Sequence, residues 1–183
     1  GPLADRARPL YAIDDPLHGT PEVQWATDIG FRCGTILQLV EHVKAGHPAF
    51  AFEFARLVNP PIQPGGNIHG LHHTYVSGNL ATRGQGTKLA PMTVTPADTK
   101  LSDVMQQYWV NFIKTGDPNG PGLSVWPGFR EPERSYVQLA EAGVTVKQAL
   151  RRSQCDVYIE HVDSLNRRRP DRYRGSRHRT GYR

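Results

Sequence analysis

Residues Ala49 to Ala55 read AFAFEFA, and this stretch constrains the fold more than any other. Phe50, Phe52 and Phe54 alternate with Ala49, Ala51, Glu53 and Ala55. Alternation with a period of two puts the three phenyl rings on one face of a β-strand. Such a strand needs neighbours for its backbone N–H and C=O groups and a cover for its rings. One strong strand cannot make a sheet alone, so further strands and packed helices must come from elsewhere.

The remaining pattern supplies mostly helices. Leu3, Ala7 and Leu10 suggest a short helix, followed by a DDPLHG loop. Thr20-Pro21-Glu22 is a helix start: a hydroxyl for capping, Pro in the first turn and an acid at the positive dipole end. Ile36, Leu37, Val40 and Val43 share one helical face, and Gly46 ends that helix. The most regular helix runs from about Thr99 to Thr115, with Leu101, Val104, Met105, Tyr108, Trp109 and Phe112 as its apolar face and Gly116 as its stop. That stripe reads as core packing. SYVQLAEAGVTVK (135–147) reads as a hairpin turning at Glu141–Gly143, and a last helix runs from about Gln148 to Leu165. Helices mixed with a few strands give an α/β or α+β class.

Charge divides the chain in two. The net charge is +5, but Asn166–Arg183 holds eight Arg against one Asp, or +7, leaving −2 for residues 1–165. The expected organisation is one domain over 1–165 and an Arg-rich tail over 166–183. Clustered Arg could neutralise phosphates, but the tail has only Tyr173 and Tyr182 as stacking rings, so nucleic acid is not the expected partner. No apolar run approaches ~18 residues, so no membrane-spanning helix is expected. The first residues, GPLADRARPLY, lack the apolar core of a signal peptide. The two cysteines, Cys33 and Cys155, form either one disulfide or two buried thiols, and both readings stay open.

Candidate chemistry gathers in GGNIHGLHHTYVSGNL (65–80), which holds His69, His72 and His73 among the chain's eight histidines. Three readings stand. The spacing is close to H-x-x-E-H metal sites, but His72 occupies the place of the Glu, and Gly70, Thr74 and Val76 make a poor helix. A solvated polar loop needs no chemistry at all. A histidine on a loop after a strand can also act as a general base, because its near-neutral pKa suits proton exchange. That last role needs a nucleophile. No serine precedes Ser77, and the nearest approach to G-x-S-x-G, Gly122-Leu-Ser124-Val-Trp126, lies in a turn cluster. GDPNG is no calcium loop either: counted from Asp117, position twelve is Gly128.

Several segments together resemble the C-terminal part of a type-B carboxylesterase, the cholinesterase-like branch of the α/β-hydrolases. They are Trp25-Ala-Thr-Asp28, Phe31-Arg-Cys33, AFAFEF, the G-x-x-H-G-L block through Gly78-Asn79-Leu80, Leu101-Ser-Asp103 through Tyr108-Trp109-Val-Asn111-Phe112 and Gly116-Asp117-Pro118-Asn119 to Trp126-Pro127, and the ending RRSQCDVYIE. The resemblance covers roughly residues 1–165. It implies an incomplete α/β-hydrolase holding only the C-terminal strands and helices of the sheet. It implies hydrolysis of carboxylic esters by a Ser–acid–His triad in that chain order, with no cofactor and no metal.

His69 takes the position of the triad base, while the nucleophile, the acid and the oxyanion donors fall in a missing N-terminal half. The implied partners are a small-molecule ester and that missing half, which is also expected to supply the neighbouring strands and covering helices of the Phe50/Phe52/Phe54 face. The resemblance leans towards a secreted or periplasmic setting. Two positions depart from the family pattern. His72 stands where a supporting Glu is usual, and Ser77 stands where Phe is usual. His72 is therefore the candidate for the supporting role beside His69. The competing classes are a non-enzymatic binding protein using its basic tail on anions and, third, a metal-dependent hydrolase.

Overall fold

Strand β1 (Phe52–Phe54) sits at one edge of a three-stranded sheet in a computed structural model that describes residues 2–58, 69–82 and 93–167. It runs parallel to β2 (Ser135–Ala140), with Phe52, Glu53 and Phe54 beside Val137, Gln138 and Leu139. β2 turns through Glu141 and Ala142 into antiparallel β3 (Gly143–Gln148). The hairpin is the one expected. The regular part of β1 is shorter than the expected 49–55, but its flanks stay extended and bonded. Ala49 O accepts from Phe129 N at 2.7 Å, Ala51 O from Val137 N at 3.1 Å and from Trp126 Nε1 at 3.0 Å, and Ala55 N donates to Leu139 O at 2.8 Å. Two segments with sequence expectations, the Pro/Gly-rich approach to the histidines (59–68) and the Arg-rich tail beyond Arg167, lie outside the described residues.

Among the described residues, six α-helices accompany the sheet: α1 (Pro2–Ala7), α2 (Pro21–Thr27), α3 (Cys33–Lys44), α4 (His72–Val76), α5 (Pro96–Thr115) and α6 (Arg152–Arg167). A π turn over Asp28–Arg32 joins α2 to α3. As expected, Thr20 caps α2, its hydroxyl oxygen accepting from Val23 N at 3.5 Å. α5 begins three residues before the expected Thr99 because Thr95 and Asp98 form a reciprocal capping box, with Pro96 at the first position. The pattern Thr95-Pro-Ala-Asp98 carries that signal in the sequence. α5 stops at Gly116, whose φ of 77° is left-handed. α6 starts after the expected Gln148, because Gln148 still pairs with Ser135 and the chain then turns through Ala149 and Arg151 at positive φ.

The phenyl face of β1 is covered by the chain's own α4 and α5, which corrects the expectation that a missing half supplies the cover. Phe50, Phe52 and Phe54 pack on a core of Tyr75, Leu101, Met105, Tyr108, Trp126, Val137 and Leu139. Removing each such side chain from water contributes about 1.5–3 kcal/mol before entropy is charged. Phe112 departs from the expected stripe: 49% exposed, it rims an open apolar pocket with Phe50, Phe52, Trp109 and Trp126. The opposite face of β1, carrying Ala49 and Ala51, packs in a second core with Cys33, Ile36, Val40, Phe129 and Cys155 from α3, α6 and the approach to β2. Helices thus lie on both sides of the sheet, an α/β/α layering. Cys33 and Cys155 are joined as a disulfide that ties α3 to α6 across 122 residues.

Candidate active site

His69 lies in the turn between β1 and α4. Gly70 follows at a φ of 86°, a conformation L side chains rarely adopt, and its carbonyl accepts from His73 N at 3.0 Å to start the helix. A helix over His72–Val76 contradicts the expectation of a loop there. Leu71 and Tyr75, four residues apart, are both buried, and burying them on one face outweighs the poor propensity of Thr74 and Val76. Thr74 Oγ1 returns its proton to Leu71 O at 2.9 Å.

A buried ionic brace lies under this turn. Tyr75 OH donates to Asp98 Oδ1 at 2.7 Å, and Arg56, just beyond β1, grips both Asp98 oxygens, Nε to Oδ1 at 2.6 Å and Nη2 to Oδ2 at 3.2 Å. Burial disfavours the Asp98 carboxylate. The Arg56, Thr95 and Tyr75 donors outweigh that and hold its pKa well below the usual carboxylate range. Ser102 Oγ adds a bond to Tyr75 O at 2.7 Å. Strand end, turn helix and α5 are thereby locked to one another beneath the histidines.

The three histidines sit in different settings. The His69 side chain is exposed, its ring lies flat on Phe31 at 4.6 Å and 19°, and neither ring nitrogen has a hydrogen-bond partner among the described residues. His72 is half-buried, edge-on to Phe52 at 5.5 Å and tilted against His73 at 4.2 Å. Burial, then the neighbouring His73 and His69, push its pKa down, so it is neutral near pH 7. It makes no hydrogen bond to His69. His73 is exposed.

A histidine–carboxylate pair away from this turn escaped the sequence reading. His18 Nε2 lies 2.8 Å from Glu53 Oε1, and Gln138 Nε2 donates to Glu53 Oε2 at 2.9 Å. His18 Nδ1 is 3.0 Å from Asp15 Oδ1 but out of alignment for a hydrogen bond, while the same oxygen accepts from Leu17 N and His18 N. Burial opposes the Glu53 charge, yet the His18 and Gln138 bonds and the nearby Arg32 lower its pKa. Burial, and then the Glu53 charge, push Tyr136 up to about 12. This cluster fastens the 12–20 loop to the sheet. Its only sequence signals are a charged residue inside the strand and the spacing Asp15-x-x-His18.

No serine among the described residues bonds to either histidine site: Ser102 is committed to Tyr75 O, and Ser77 Oγ donates to Thr74 O. Among the described residues, no group of three or more His, Cys, Asp or Glu is placed to hold a metal ion, and no helix is long and apolar enough to cross a membrane. What the site offers is an accessible imidazole, His69, on a braced turn after a strand, with a second exposed imidazole, His73, on the helix that follows. Alone, such an imidazole can exchange a proton with a group brought to it.

Comparison with known proteins bears on what that group is. The sequence pattern of the Carboxylesterase family matches residues 20–158. Carboxylesterase 4A of Bos taurus is 30% identical over 119 residues, 62% of this chain and 20% of that protein. Liver carboxylesterase 1F of Rattus norvegicus is 25% identical over 130 residues, 68% of this chain and 21% of that protein. The chain thus spans about a fifth of the length of these relatives. Among solved structures, a thermophilic PNB esterase superposes with a TM-score of 0.65 at 21% identity, over 86% of this chain and 30% of that one. A carboxylesterase of Geobacillus stearothermophilus does so at 0.63 and 20% identity, over 84% and 32%. These likenesses give the fold: the C-terminal strands and helices of an α/β-hydrolase sheet.

Proposed function

This chain belongs to the carboxylesterase family, and we propose that it is the C-terminal part of a serine carboxylesterase in which His69 is the catalytic base. The observation that carries the reading is the setting of His69: an exposed imidazole, both nitrogens without a described partner, on a braced turn that leads into α4. In this reading one nitrogen takes the proton of a serine hydroxyl as it attacks the ester carbonyl and returns it to the leaving alcohol. The other nitrogen's N–H donates to a carboxylate that stabilises the imidazolium. Serine, acid and oxyanion donors come from sequence outside this chain, so the intended partner is the preceding portion of the hydrolase domain and the substrate is a small carboxylic ester.

Two measurements test this. The chain alone is expected to release no 4-nitrophenol from 4-nitrophenyl acetate above the rate without protein. Joined in place of the equivalent segment of an active carboxylesterase, it is expected to support turnover. His69→Ala is then expected to lower kcat by about 10³-fold or more. Serine-dependent turnover by the isolated chain, or full activity of the His69→Ala hybrid, would sink the reading.

A further inference from the structure

Phe31 is a side chain that neither the core nor the reaction above accounts for. It is 55% exposed, on the π turn between two anchors. The first anchor is Asp28, which is buried and bonded by Arg151 Nε and Nη2 at 3.0 and 2.8 Å and by Tyr11 OH at 3.1 Å, and is also paired with Arg32. The second is Cys33, cross-linked to Cys155. Asp28 and Cys33 are five residues apart, whereas their partners Arg151 and Cys155 are four apart. The helix absorbs the extra residue by closing a wide turn, with Cys33 N donating to Asp28 O. Phe31 lies in that widened turn, and its ring rests on the face of His69.

We propose that Phe31 is the positioning residue for His69: the doubly anchored π turn holds its ring as a flat shelf that fixes the plane of the imidazole. Hydrogen bonds to imidazole nitrogens lie in the ring plane, so a partner on the face restricts rotation while leaving both nitrogens open. Offset stacking of this kind is a favourable aromatic geometry. No other ring is stacked on His69 among the described residues; His72 faces Phe52. The proposal rests on the reading of His69 as the base.

Proton spectra of the full chain, labelled at histidine, provide the first test. The carbon-bound ring protons of His69, identified by their loss in His69→Ala, are expected to be displaced upfield by the Phe31 ring. Phe31→Leu should abolish that displacement and Phe31→Tyr should keep it. In the hybrid hydrolase described above, Phe31→Leu is expected to lower kcat of the order of 10- to 100-fold with KM little changed, and Phe31→Tyr to recover it. Unchanged His69 signals in Phe31→Leu would show that there is no stack and overturn the proposal. Altered signals with unchanged kcat would overturn the positioning role. If His69→Ala itself leaves kcat intact, the base reading has failed, and the positioning claim falls with it even though the spectra still report the stack.

Discussion

Asp98 shows how one residue carries several tasks. It closes the capping box of α5, accepts from Tyr75 and pairs with Arg56, all from a fully buried position. Asp98→Asn removes the charge but not the volume and leaves the buried Arg56 guanidinium with only the exposed Glu141 carboxylate, 3.2 Å from Nη1, as counter-ion. The expected cost is about 3–5 kcal/mol, read from urea denaturation with an unchanged m-value. Part of this residue was legible in the sequence, since Thr95-x-x-Asp98 is a capping pattern, but its pairing with Arg56 spans 42 residues and has no local signature. His72 is a similar case. Its position in the sequence suggests support for His69, whereas its ring packs on Phe52 and its lowered pKa reflects burial first.

At the scale of elements, the link between α3 and α6 decides how the second core is held. The Cys33–Cys155 bond closes a separation of 122 residues. Replacing both cysteines by serine is expected to cost about 3–5 kcal/mol by freeing the unfolded chain, seen as a lower urea midpoint. Two cysteines in a sequence leave bond and thiols equally open. Only the packing of the two helices brings their backbones within bonding distance. The start of α2 at Thr20 and the stop of α5 at Gly116 were the most legible features, because both act through neighbours one turn away, whereas the starts of α5 and α6 were expected three residues late and four residues early. The π turn and the helix α4 were not legible. Both depend on anchors fixed by distant residues: Arg151 and Cys155 for one, the buried pocket of Leu71 and Tyr75 for the other.

Across the whole molecule, the carboxylates with lowered pKa that are at least partly buried among the described residues are expected to set much of the response to acid. Asp15 in the N-terminal loop, Glu53 in the sheet and Asp98 on α5 all have pKa values lowered in the fold, because their hydrogen bonds outweigh burial. A lowered folded-state pKa contributes stability that is complete above the unfolded value and is lost as pH falls through the folded one. Unfolded Asp and Glu titrate near pH 4. The contribution of these carboxylates is therefore expected to hold from neutral pH to about 4 and to fall below it, with a smaller fall in Asp98→Asn, while the lowered pKa of half-buried His72 adds a separate loss that begins below about pH 6.5 in both proteins. Urea midpoints at pH 7, 4 and 3 provide the check, and an equal fall in both proteins would count against this role for Asp98. By itself the sequence determined the alternating strand, the existence of the long helices, the hairpin and the family, because each is written in short-range pattern or in an ordered series of motifs. Tertiary structure alone decided what covers the phenyl face, that the cysteines are bonded, that His18 clamps Glu53, and which surface the His69 ring rests on. Each of these is a contact between residues far apart in the chain, made only once two separate elements are packed together.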